Sequence, residues 1–317
     1  MKRNTLVTVC IVLLVASAFL AGCGGQAQPK KMTIDTASMG GAYYPIGTGI
    51  AEIVSKNVKG VTMTAEVTGG AVENCRLVGK KETDLGITNA NLAYFASRGE
   101  DAYKEKHDLR ALGSLHSTIL HIITWDKSPI RTIADMKGKK VAVGPAGGGS
   151  IPMIKAVLDV YGMKIEDLQA SYVSYEDGMM ALKDGNVDVA LAAAGYPTSA
   201  VMQLANTDKI RLVEIEPDKM KALIEKYPYY SKVVVPASVY KLEKDAVVQG
   251  VANTLIVNAS MDEKTAYEIT KAIYNNLEQL GSFHASIKQV KIETAFETPI
   301  QLHPGAKKYW TEKGLVK

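Results

Sequence analysis

Three glycine-rich turns stand where an extended stretch gives way to a helical one: SMGGAYYPIG (38–47), VTGGAVEN (67–74) and GPAGGGSIP (144–152). A helix start leaves backbone N–H groups unpaired and carries partial positive charge. Glycine lets another group approach those N–H groups closely. Several such starts aimed into one cleft would bind an anion without any cationic side chain. Tyr43 and Tyr44 add hydroxyl donors and apolar walls to the first turn, where Pro45 suits the opening of a helix. Ser150 is placed to N-cap the helix after the third turn, and Pro152 falls in its first turn. The competing reading is that the glycines only turn the chain and the tyrosines only pack.

Other chemistries lack their residues. GTGIAE (47–52) has Glu52 where a dinucleotide fingerprint needs glycine, and GPAGGGSI lacks the Gly-Lys-Ser/Thr ending of a P-loop. No G-x-S-x-G elbow occurs. The five histidines (107, 116, 121, 284 and 303) show no metal-ligand spacing, so neither metal nor cofactor is expected. Asp84 and Asp188 precede strands and read as solvated turn residues. Cys75 has no histidine near it in sequence and reads as a small buried side chain rather than a nucleophile.

The elements that must position these turns alternate. MTIDTAS, VTMTAEVTG and DLGITN read as strands, each followed by a helical segment, and the pattern restarts at KVAVG (140–144). This is the grammar of βαβ units on a mainly parallel sheet, giving an α/β protein of two lobes. The expected division is 32–124 with 236–317 as lobe 1, and 125–235 as lobe 2. Crossings near 120–128 and 232–240 would form a hinge. The 317 residues, 47% hydrophobic and 22% charged, can bury a large core, and a net charge of +4 without basic runs gives no reason to expect a nucleic-acid partner. Lys2, Arg3, an apolar run and LAGC (20–23) resemble a bacterial lipoprotein signal. On this reading 1–22 is a signal peptide, Cys23 is lipidated and 23–31 is a tether. Removing Lys2 and Arg3 takes the charge from +4 to +2. Only Cys75 is then left free, so no disulfide framework is possible within one chain.

SMGGAYYPIGTGIAEIV, EVTGGAVENCRLV, TDLGITNANLAYFA, KVAVGPAGGGS, GNVDVALAAAGYP and LHPGAKKYW, in this order, resemble the TAXI family of solute receptors of TRAP transporters. The resemblance implies a type II periplasmic-binding-protein fold, two α/β lobes closing on a small ligand. It implies no catalysis, and a partnership with the membrane subunits of a TRAP permease. The ligand it implies is a small carboxylate such as glutamate, glutamine or a 2-oxo acid. By position it assigns ligand binding to Gly41, Tyr43, Tyr44, Gly70, Ala71, Asn89, Asn91, Gly148, Gly149, Ser150, Tyr196 and Pro197. The family commonly has serine and glutamine where this chain has Ala71 and Asn89. The protein would be a membrane-anchored lipoprotein in the periplasm or on the outer face of the cell membrane. The alternatives are an ABC-transporter receptor for an organic anion, an enzyme built on Cys75, and a structural surface lipoprotein.

Overall fold

The computed structural model describes residues 29–316; the signal and tether readings, with Cys23, lie outside them except at the last residues of the tether. No helix among the described residues is long and apolar enough to cross a membrane.

Strand β1 (Lys30–Asp35) leads through the first glycine turn into α1 (Tyr43–Asn57), β2 (Val61–Glu66) leads through the second into α2 (Ala71–Gly79), and β3 (Leu85–Asn89) runs directly into α3 (Ala90–Arg98). Helix α1 buries Tyr43, Ile46, Ile50, Ile53 and Val54, spaced at three and four residues, against the sheet. Each buried aliphatic side chain of this kind contributes about 1.5–3 kcal/mol relative to exposure. The pattern resumes with β5 (Lys140–Ala142), α4 (Ser150–Val160), β6 (Gln169–Ser171), α5 (Tyr175–Lys183), β7 (Val189–Ala194) and α6 (Ser199–Ala205).

Two long strands join the halves: β4 (Leu109–Trp125) and β10 (Ala246–Asn258) pair antiparallel at the centre of a sheet ordered β2-β1-β3-β10-β4-β7-β5-β6. Short strand β8 (Ile210–Leu212) pairs with β4, and β9 (Ser231–Val235) pairs with β10. Between them lies α7 (Pro217–Lys226), and α8 (Ala237–Tyr240) follows β9. The second crossing therefore lies in 246–258, not in the expected 232–240, whose Val-rich run instead forms β9. The buried apolar residues divide within the crossing strands. Leu109–Leu115 and Leu255–Val257 belong to the core of lobe 1, and Ile119–Ile123 and Ala246–Val251 to the cores of lobe 2. The β4–β10 register shifts between Ala252 and Thr254, next to this changeover. The chain closes lobe 1 with α9 (Glu263–Tyr274), α10 (Leu277–Phe283) and α11 (Pro304–Glu312). Trp310 of α11 is fully buried and donates its indole N–H to the Leu112 carbonyl at 2.9 Å.

Among the local expectations, that for Ser150 changes. Ser150 is the first residue of α4 rather than its N-cap; its hydroxyl turns inward and donates to the Val143 carbonyl at 2.7 Å. Asp84 and Asp188 accept strand-edge amides, from Thr33 and Lys140 respectively, both at 2.9 Å. Cys75 is buried as expected, and burial pushes its thiol up to about 11.

Candidate functional site

The glycine turns of the two lobes meet across one seam. The Gly147 carbonyl of lobe 2 accepts the amides of Val72 (3.0 Å) and Glu73 (3.3 Å) at the start of α2 in lobe 1. In return, the Gly40 carbonyl of lobe 1 accepts the Ala200 amide (3.3 Å) and the hydroxyls of Thr198 and Ser199 at the start of α6 in lobe 2. Of the three helix starts expected to converge, only that of α2 is capped by a carbonyl of the opposite lobe; the first and third turns instead supply the capping carbonyls, Gly40 to α6 and Gly147 to α2. Two carboxylates add to this: Glu73 accepts the Gly69 amide at 2.5 Å, and Glu176 of α5 accepts the Gly40 amide. These groups already occupy the amides, and the glycines here admit the backbone of the opposite lobe. A Cβ on Gly70, whose φ is +113°, would lie 3.3 Å from the Gly148 Cα.

Below the seam lies a buried polar cluster on the crossing strands. Asn253 Oδ1 accepts from the Tyr43 hydroxyl (2.7 Å), Asn89 Nδ2 (2.9 Å) and the Thr118 hydroxyl (2.9 Å), while Asn253 Nδ2 donates to the His116 carbonyl (2.7 Å). Tyr43 sits edge-on to His116, and burial raises its hydroxyl pKa strongly. His116 is buried with both ring nitrogens unpartnered, and burial, with His284 adding, brings it down to about 3. His121, by contrast, is held by the Ala192 carbonyl and the Tyr240 hydroxyl.

Gly41, Tyr43, Gly70, Ala71, Asn89 and Gly149 line one buried interlobe cavity of about 10 Å³, room for about one water molecule. Asn89 Oδ1 has no partner, and a Cβ on Gly149 would lie 2.4 Å from it, so the amide faces lobe 2. The remaining expected residues are placed elsewhere. Tyr44 and Pro197 line, with Gly41, an outer groove of about 510 Å³. Asn91 is buried in α3 and lines a second interlobe groove of about 530 Å³. Gly148 forms the seam beside Gly70, Ser150 lies behind it, and half-buried Tyr196 packs on the lobe 2 core. Four of the described arginines are engaged elsewhere: Arg76 donates to the Ala102 carbonyl, and Arg98, Arg110 and Arg211 pair with Glu100, Asp108 and Asp126.

Sequence reasoning missed Tyr175, which lines the small cavity, as well as Glu73, Glu176, Thr198 and Asn253. Tyr175 follows a strand and opens a helix, the same signal that marked the other turns, without the glycines that drew attention to them. Asn253 carried no local signal, since its partners are 135 to 210 residues away.

A family model described as the NMT1-like family matches residues 34–314. The chain belongs to the NMT1-like family. Over 82 residues, 26% of its length, this NMT1-like chain is 35% identical to a protein of Escherichia coli (strain K12) named for binding aliphatic sulfonates, and the match spans 25% of that protein. Among solved structures, it resembles a protein from Bordetella bronchiseptica RB50 (TM-score 0.54, 16% identity, 90% of this chain and 89% of that one). It also resembles a protein described as an L-cystine ABC transporter from Listeria monocytogenes (TM-score 0.50, 13% identity, 82% and 96%). At these identities the structural likeness shows the fold: the NMT1-like chain has the type II periplasmic-binding-protein architecture, with two lobes, a hinge and an interlobe cleft. The family match does not confirm the finer resemblance to TAXI receptors.

Proposed function

We propose that this protein is an extracytoplasmic receptor that closes its lobes on an organic anion and delivers it to an ABC-type membrane transporter. The observation that carries this reading is the mutual capping at the seam. The donors at the starts of α2 and α6 hold carbonyl oxygens of the opposite lobe, and an anionic oxygen would occupy the same seats once the lobes part. The names of the sulfonate-binding and ABC-transporter relatives favour the organic anion and the ABC partner. The TRAP reading, with glutamate, glutamine or a 2-oxo acid as ligand, rests on the ordered motifs from SMGGAYYPIG to LHPGAKKYW. Lipidation of Cys23 would keep either receptor beside its permease.

Thermal unfolding with a panel of alkanesulfonates and small carboxylates tests the ligand class. An anion specific to the folded state raises the transition by roughly RT ln(1 + [L]/Kd). A panel in which no anion moves the transition would reject the reading. Uptake in reconstituted vesicles separates the partners, since an ABC system requires ATP and a TRAP system an ion gradient. Loss of fatty-acid labelling in Cys23→Ala is the expected result for the anchor, and unchanged labelling removes it.

A further inference from the structure

The larger interlobe groove, about 530 Å³, uses none of the seam residues. Lobe 1 lines it with Asn91, Phe95 and Asp101, and lobe 2 faces them with the tyrosines that follow α7. The Tyr229 ring meets Phe95 at 5.5 Å and 87°, and Tyr230 meets Tyr229 at 4.7 Å, so an aromatic wall runs from one lobe to the other. Asn91 is 4% exposed and its Oδ1 has no partner, which leaves a desolvated acceptor in the lining. After burial, the Asp101 carboxylate is the next largest cause raising Tyr229, to about 12, and it acts on Tyr227 and Tyr230 in the same direction. The Asp101 carboxylate thus acts on all three tyrosines, in a lining that also holds Lys164 and Glu166. One ring face already carries a cation: Lys226 Nζ stands 5.6 Å from the Tyr227 centroid while it pairs with Asp159 at 2.6 Å.

We propose that this groove binds an organic ammonium group, held against the faces of Tyr229 and Tyr230 with Asn91 Oδ1 and the Asp101 carboxylate as acceptors. Aromatic faces attract ammonium through their quadrupoles, and desolvation strengthens the attraction. Lys155 also lines the groove on an exposed stem. It turns to water when a simple cation binds and meets the carboxylate when the ligand is a betaine, so a betaine binds more tightly than a simple tetraalkylammonium ion. An occupant touching both walls joins the lobes and favours closure. The site goes beyond the receptor reading, which concerns the seam and an anion.

The test is calorimetric titration of the full chain with glycine betaine, choline chloride and tetramethylammonium chloride, with sodium chloride as the ionic-strength control. Saturable binding is expected, about tenfold weaker in Tyr229→Ala. Tyr229→Phe, which keeps the ring face, is expected to stay close to the parent and controls for misfolding. Failure of all three compounds at millimolar concentration, or equal affinity in Tyr229→Ala, overturns the proposal. Anion binding by the same sample in that case leaves the seam reading standing. Ammonium binding with no response to anions supports this site while removing the seam reading.

Discussion

Asp35 and His116 are fully buried groups that titrate in opposite senses. Asp35 Oδ2 accepts the Thr83 hydroxyl at 2.6 Å, Oδ1 has no partner, and burial raises the carboxyl to about 7, with Glu66, Glu73 and Asp84 adding to the rise. An unfolded aspartate titrates near ~3.9. The folded value is the higher one, so the contribution of Asp35 to stability is present below about pH 4 and is lost as the pH rises through about 7. Asp35→Asn is expected to raise the unfolding temperature at slightly alkaline pH and to leave it nearly unchanged at about pH 3.5, below the unfolded value. An equal shift at both would contradict a buried neutral acid. His116 and His121 are brought down to about 3 and about 4, chiefly by burial. Their folded values are the lower ones, so their contribution is present above ~6.5 and is lost as the pH falls toward those values, by up to ~1.4 kcal/mol per pH unit for each. Urea unfolding between about pH 6.5 and 4.5 is expected to show this loss, with a shallower slope in His116→Leu. At this scale the sequence favoured burial of Cys75, and the structure buries it. The sequence could not show which polar groups end up buried, because that depends on what packs over them.

Among the elements, the crossing strands carry the most consequence for function. Asn253 of β10 gathers Tyr43 from α1, Asn89 from β3 and Thr118 from β4, and so ties the first glycine turn to the hinge. Asn253→Leu removes one acceptor from three buried donors, each costing ~1–3 kcal/mol when left unmade. A loss of more than ~3 kcal/mol in urea unfolding is therefore expected, and a loss below ~1 kcal/mol would show that the cluster relaxes without it. The strand-helix alternation was legible from periodicity because each element buries one face. The position of the second crossing was not legible: KVVVPASVY and AVVQGVANTLIVN are both extended apolar runs, and only pairing with β4 distinguishes the central strand from the edge one.

For the whole molecule, function turns on how the lobes meet. Gly70→Ala places a Cβ 3.3 Å from the Gly148 Cα on a backbone with φ +113°, a strain of ~1–3 kcal/mol concentrated at the seam. The expected result is a larger radius of gyration by small-angle scattering, together with weaker solute binding. An unchanged radius would mean that the glycines do not set the closed distance. The sequence by itself determined the α/β class, the two lobes and the turns that face each other, since these follow from local periodicity and from where glycine permits a sharp strand-to-helix junction. Only the tertiary structure decided that carbonyls of the first and third turns cap helix starts of the opposite lobe, that Asn91 and the tyrosines after α7 share a groove, and that Asn253 ties Tyr43 to the crossing strands. These pairings lie far apart along the chain, and their free energies depend on distances that no local pattern encodes.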